Sequence, residues 1–244
     1  MTPESLMAVA CPQIRDLGWA FYFTPETMGL GEELGLTGFD FYFVGRGGVL
    51  GNVESSVVRD AFGYFNPKLI ADAWTAALKV ISPREAGRRF MGCCADLGRQ
   101  RLSGLEDLEG FVAALDAVND AADPTGLALY AAVRAEPLAE DLPARAMQLV
   151  TVLRELRGSA HLVAVRVAGL DDRTAHFLTR PNDGAMFGWG PEDAPVTTDE
   201  DRARLVRAES ITDDLTRPAY AVLDESGQTA LLRGLAGMAA VLKG

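Results

Sequence analysis

Apolar residues recur at three- and four-residue steps along most of the chain, the period of helices that bury one face. Between Lys68 and Ile81 the stripe is Leu69, Ile70, Ala73, Trp74, Ala77, Leu78 and Ile81. Leu105, Leu108, Phe111, Val112, Leu115 and Val118 form a second, and Leu142, Ala146, Leu149, Val150, Leu153 and Leu156 a third. Ser82-Pro-Arg-Glu85 predicts a helix start, with Ser82 as cap, Pro83 in the first position and Glu85 closing a capping box. Asp123-Pro-Thr-Gly126 separates two further helices. No alternating pattern of useful length competes. Residues 1–157 therefore predict a helical bundle domain, whose last stripe runs into Leu153-Arg-Glu-Leu-Arg-Gly-Ser-Ala-His161 and turns at Gly158.

Residues 158–244 read differently. His161–Ala168 and Asp172–Thr179 predict two short helices joined at Gly169-Leu-Asp171, followed by a Gly- and Pro-rich connection to Pro195. Thr198 then caps a helix to Arg207, with acids in the first turn and arginines in the last, the arrangement the helix dipole favours. Ser210–Thr212 and Ala219–Leu223 predict a small β-hairpin before a final helix. Short helices, a hairpin and a closing helix are the order of a winged helix. The expected fold is mainly α: an N-terminal bundle and a winged-helix-like C-terminal domain.

Composition narrows the function classes. A chain of 244 residues, 48% hydrophobic, can bury ample core. No apolar run is long enough to cross a bilayer, and Met1-Thr-Pro-Glu-Ser5 lacks the basic start of a signal peptide, so a cytoplasmic protein with no membrane contact is expected. Cys11, Cys93 and Cys94 do not make a disulfide framework, and with no CxxC spacing and only His161 and His176 they give no zinc site. The net charge of −11 argues against nucleic acid as a partner. From Gly158 to Gly244 there are 9 basic and 13 acidic side chains, and the expected recognition helix begins Asp199-Glu-Asp201, the end that would have to meet bases.

Several segments carry a resemblance: Tyr22-Phe-Thr-Pro-Glu26, Gly35-Leu-Thr-Gly-Phe39 with Tyr42-Phe-Val-Gly-Arg46, Ala61-Phe-Gly-Tyr-Phe65, Leu153–His161 and Ala168-Gly-Leu170. In that order they resemble an actinobacterial family of largely uncharacterised proteins labelled helix-turn-helix for their C-terminal part. The resemblance implies a helical N-terminal domain, a winged-helix-like C-terminal domain and no settled activity. Such proteins commonly read Arg-Gly-Asp-Gly-His where this chain has Arg157-Gly-Ser-Ala-His161, and their wing is more regular.

The candidate site residues are His161, Glu26, Arg46, Tyr22, Tyr42, Tyr64 and Arg157. His161 titrates near neutrality and suits proton transfer, and its plainer reading is a hydrogen-bonding group between helices. Glu26 follows Thr24-Pro25, where a carboxylate serves the helix dipole; beside Tyr22 and Phe23 it is also a candidate acid. Arg46, within Gly45-Arg-Gly-Gly48, reads as a helix-end cation or as an anion clamp that a ligand reaches past the glycines. Arg157 reads as a solvated helix end or a ligand contact, and Tyr22, Tyr42 and Tyr64 as core or as the wall of a pocket.

The leading expectation is a small-molecule-binding protein, as an enzyme a cofactor-free acid–base isomerase, cyclase or hydrolase of specialised metabolism acting on an anionic or carbonyl-bearing metabolite. There His161 would move the proton, Glu26 assist and Arg46 hold the anion. No cofactor is expected, although magnesium bound by carboxylates stays open. The alternative is a ligand-responsive winged-helix regulator, which implies a homodimer. A scaffold without a pocket is the third.

Overall fold

One long helix organises the molecule. In the structure, a computed structural model that describes residues 1–36 and 39–243, α9 spans Leu142–Val167. Its 26 residues bury side chains around most of the circumference, from Ala144 and Met147 through Leu153 and Leu156 to Ala164 and Val165. A helix that is apolar nearly all round belongs inside. Asp141 starts it by accepting a bond from Ala144 N at 3.2 Å, with Pro143 in the first turn.

Eleven more helices of the described residues surround or extend this axis. They are α1 (Pro3–Leu17), α2 (Pro25–Glu33), α3 (Asp40–Gly47), α4 (Ser55–Phe62), α5 (Pro67–Ala77), α6 (Pro83–Leu102), α7 (Leu108–Ala121), α8 (Ala128–Arg134), α10 (Asp172–Thr179), α11 (Asp199–Tyr220) and α12 (Glu225–Lys243). Helices α1, α6, α7, α8 and α11 pack directly on α9, and α12 closes over α1 and α7. The main core runs from Leu6 of α1 to Met238 of α12, and a smaller apolar cluster joins the end of α9 to Leu170, Ala175 and Ala208.

The expected stripes fall on α5, α7 and α9, and the Ser82 cap and the Asp123–Gly126 break stand where the sequence puts them. Gly169, at φ +83°, ends α9 and leads to α10 as expected.

Two local expectations are corrected. The chain does not turn at Gly158. That glycine is helical and α9 continues through it, so the boundary expected between 157 and 158 falls inside one helix. A glycine costs a helix only about 1 kcal/mol, and burial of Ser159, Ala160, Ala164 and Val165 beyond it outweighs that.

Nor does a hairpin form: no described residue is in a strand, and Ser210–Thr212 lies within α11. The hydroxyls of Thr212 and Thr216 donate to Ala208 O and Thr212 O, at 2.7 and 2.9 Å, so these β-favouring residues are satisfied inside a helix. Pro218, itself exposed, falls in its last turn. The winged-helix reading of residues 158–244 loses its wing.

Candidate functional site

Arg46 sits in the last turn of α3, and its side chain is directed inward. The glycines on either side bring α3 against α6, not a ligand against α3. A Cβ at Gly45 would stand 2.6 Å from the Phe90 ring, and one at Gly48 2.0 Å from Pro83 O. Arg46 does clamp a carboxylate, and that carboxylate is the chain's own Glu155. Nε donates to Oε1 at 2.9 Å and Nη2 to Oε2 at 2.8 Å. The two side chains are only 11% and 3% exposed.

The same carboxylate accepts from Tyr22 OH at 3.0 Å and from Arg154 Nη1 at 2.8 Å, while Arg46 Nη1 donates to Tyr42 OH at 3.0 Å. The Arg46 guanidinium lies 4.2 Å from the Phe62 ring centre. Burial opposes ionisation of Glu155, but the two arginines and the Tyr22 hydroxyl overcome it and hold the pKa down at about 2. Two cations against one anion leave this cluster with a net positive charge, and Arg154 Nε is buried without a partner. The adjoining cavity measures about 10 Å³, room for about a single water. The cluster ties α3, α9 and the Gly18–Phe23 turn together, and side chains fill what the sequence reads as a pocket wall.

Glu26 and Tyr64 lie apart from it. Glu26 is exposed in the first turn of α2, after the Thr24 cap, and makes none of the cluster's contacts. Tyr64 has a left-handed backbone, φ +61°, held by Asp172, which accepts from its N–H at 3.2 Å, and by Trp189 Nε1, which donates to its carbonyl at 2.7 Å. Its hydroxyl is buried and unpartnered. His176 is likewise buried, 4.3 Å from the Phe187 ring centre.

Arg157 and His161 come together on α9. Four residues apart, they share a helical face, and that face meets α11. His161 lies about 9 Å along the helix from Glu155 and about 120° round it, so the two belong to different surfaces of α9. Arg157 donates to Asp213 Oδ1 at 2.7 Å and to Glu209 Oε2 at 2.8 Å. His161 Nδ1 is 2.9 Å from Thr212 Oγ, and Nε2 is 3.8 Å from Glu209 Oε1. Because the Thr212 hydroxyl donates to Ala208 O, it accepts from His161. The imidazole N–H is therefore assigned to Nδ1, and Nε2 is left bare.

Beside this junction, between α1 and α11, opens a cleft of about 160 Å³. Met7, Ala8, Cys11 and Pro12 provide its apolar lining, and Arg15, Arg157 and Arg217 face it together with Glu4 and Asp213. Arg217 approaches Glu4 at 3.6 Å and Asp214 at 2.9 Å. Each arginine also pairs with a carboxylate at the edge of the cleft, Arg15 with Asp16, Arg157 with Glu209 and Arg217 with Asp214. Burial pushes the Cys11 thiol up, against the opposing pull of Arg157, so Cys11 serves as an apolar surface.

Arg46, Glu26 and His161 thus share no contact, whereas Tyr22, Tyr42 and Arg46 do, and so do Arg157 and His161. Sequence reasoning left Glu155, Arg15, Glu209, Asp213 and Arg217 out of the candidate site. The available signal was the matched spacing of Arg157/His161 and Glu209/Asp213, four residues in each helix, which the expected hairpin concealed. Among the described residues, no group of three or more His, Cys, Asp or Glu is placed to hold a metal ion, and no helix is long and apolar enough to cross a membrane.

No curated protein and no solved structure matches this chain. A family model described as the helix-turn-helix family matches residues 10–192, from α1 past α10, and leaves α11 and α12 outside. With most of its length inside that match, the chain belongs to the helix-turn-helix family.

Proposed function

We propose that the protein binds a compact organic anion in the cleft between α1 and α11. One observation carries this reading: three arginines, Arg15, Arg157 and Arg217, converge on one apolar hollow. Guanidinium groups suit carboxylates and phosphates, and Met7, Pro12 and Cys11 suit an apolar body. A cavity of about 150 Å³ accommodates benzene, so a hollow of about 160 Å³ fits a ligand of one substituted ring. Arg157 is the principal anion contact, held in place by Glu209 and by Asp213, which also faces the cleft. The reading includes a cytoplasmic setting, with which three free thiols accord. It assigns binding and no chemical step, because Glu26 lies exposed on α2 and His161 Nε2 faces Glu209.

Isothermal titration with benzoate tests it. Wild-type protein is expected to bind, and Arg157→Gln to bind at least tenfold more weakly, the loss of about one charge-assisted hydrogen bond. Equal affinity in the two proteins contradicts the reading.

A further inference from the structure

We infer that His161 is a positioning residue for the cleft: on protonation it engages Glu209, loosens that carboxylate's hold on Arg157, and so tightens the grip on an anion. This rests on the reading of the cleft as an anion site, and it adds a proton-driven control that the cleft alone does not require.

The relay is built from contacts already in place. Glu209 stands between the two α9 side chains, with Oε2 accepting from Arg157 at 2.8 Å and Oε1 facing His161 Nε2 at 3.8 Å. Thr212 holds Nδ1–H, so the next proton can enter only at Nε2, the atom aimed at Glu209. At neutral pH a lone pair faces the carboxylate and Glu209 gives its charge to Arg157. A proton at Nε2 replaces that lone pair with a charged donor, and the carboxylate is then shared between two cations. Arg157 becomes freer to turn its guanidinium to the cleft, and the junction gains a positive charge. Both changes favour a bound anion.

The surrounding groups set the range over which this happens. Burial, with Arg157 on the same helix, disfavours the imidazolium, whereas Glu209 and Asp213 of α11 favour it. The balance, with burial the largest influence, holds the imidazole below the ordinary histidine value. The Tyr64 hydroxyl, in the turn before α5, is pushed up by burial first and then by Asp172 and Glu209. That hydroxyl stays neutral throughout and does not compete for the proton.

Benzoate affinity followed from pH 7.5 down to about 5, where benzoate stays charged, tests the relay. Wild-type protein is expected to bind severalfold more tightly at the lower pH. His161→Gln keeps a donor for Thr212 and cannot titrate, so its affinity should follow a flat profile. Glu209→Gln, which removes the shared carboxylate, should bind tightly at both ends of the range. An NMR titration of the two histidines without ligand reads the first step alone: the His161 midpoint should fall in Glu209→Gln while that of His176 stays put. A pH slope in His161→Gln equal to wild type, or a His161 midpoint indifferent to Glu209→Gln, overturns the relay while benzoate still binds. Absence of benzoate binding by wild-type protein at every pH overturns the cleft reading itself and the relay with it.

Discussion

Arg46 grips Glu155 through two parallel hydrogen bonds, at 2.9 and 2.8 Å, joining the end of α3 to the middle of α9 across 109 residues of sequence. This pairing accounts for a motif the sequence makes conspicuous, an arginine among glycines after four aromatics. Its glycines are helix-packing positions, and its arginine is satisfied within the chain.

Removing one member of a buried ion pair leaves the other uncompensated in the interior, at a cost of about 3–5 kcal/mol. Glu155→Ala should therefore lose about that much stability in urea unfolding at neutral pH, with two arginines stranded. A loss below about 1 kcal/mol would mean that solvent already satisfies the cluster.

Acid should undo the same contact. The folded pKa of Glu155, about 2, lies below its ordinary value of 4.5. Its contribution is accordingly complete above the ordinary value and fades as pH falls from there toward 2. Unfolding free energies of wild type and Glu155→Gln measured down this range should converge as the acid is approached. Parallel curves would contradict the assignment.

Glycines in helices should behave oppositely according to what faces them. Gly48→Ala would push a methyl to within 2.0 Å of Pro83 O, where backbone must move, and a large fall in melting temperature is expected. Gly92→Ala, in α6 with nothing within 4 Å, should instead stabilise by about 0.5–1 kcal/mol through helix propensity.

DNA binding, suggested by the family description, should be weak. The exposed start of α11 carries Asp199 and Glu200, and the whole chain carries −11. A gel-shift series at low and physiological salt should show no retained duplex. Salt-sensitive retention at the lower concentration would restore a regulatory role.

The helices were legible in the sequence because their signals are local. Ser82 and Thr198 cap where expected, and the 142–156 stripe lies on α9. The errors arose where burial overrode local preference: Gly158 within α9, and Thr212 and Thr216 within α11. The partnerships of the site were less legible, because Arg46 with Glu155 and Arg157 with Glu209 meet only after distant helices pack. A charged residue declares that it needs a partner; the spacing along one helix does not say which. His161 and Arg157 were recognisable as chemistry-bearing, while the cleft beside them needed α1, which contributed no such signal beyond Cys11 and Arg15.

The most direct measurement is crystallographic: crystals of the protein soaked with 4-bromobenzoate, with bromine located by anomalous scattering. A bromine peak is expected between α1 and α11 near Met7 and Pro12, with the carboxylate against Arg157. A well-ordered cleft without that peak, or a peak confined to another part of the molecule, would contradict it.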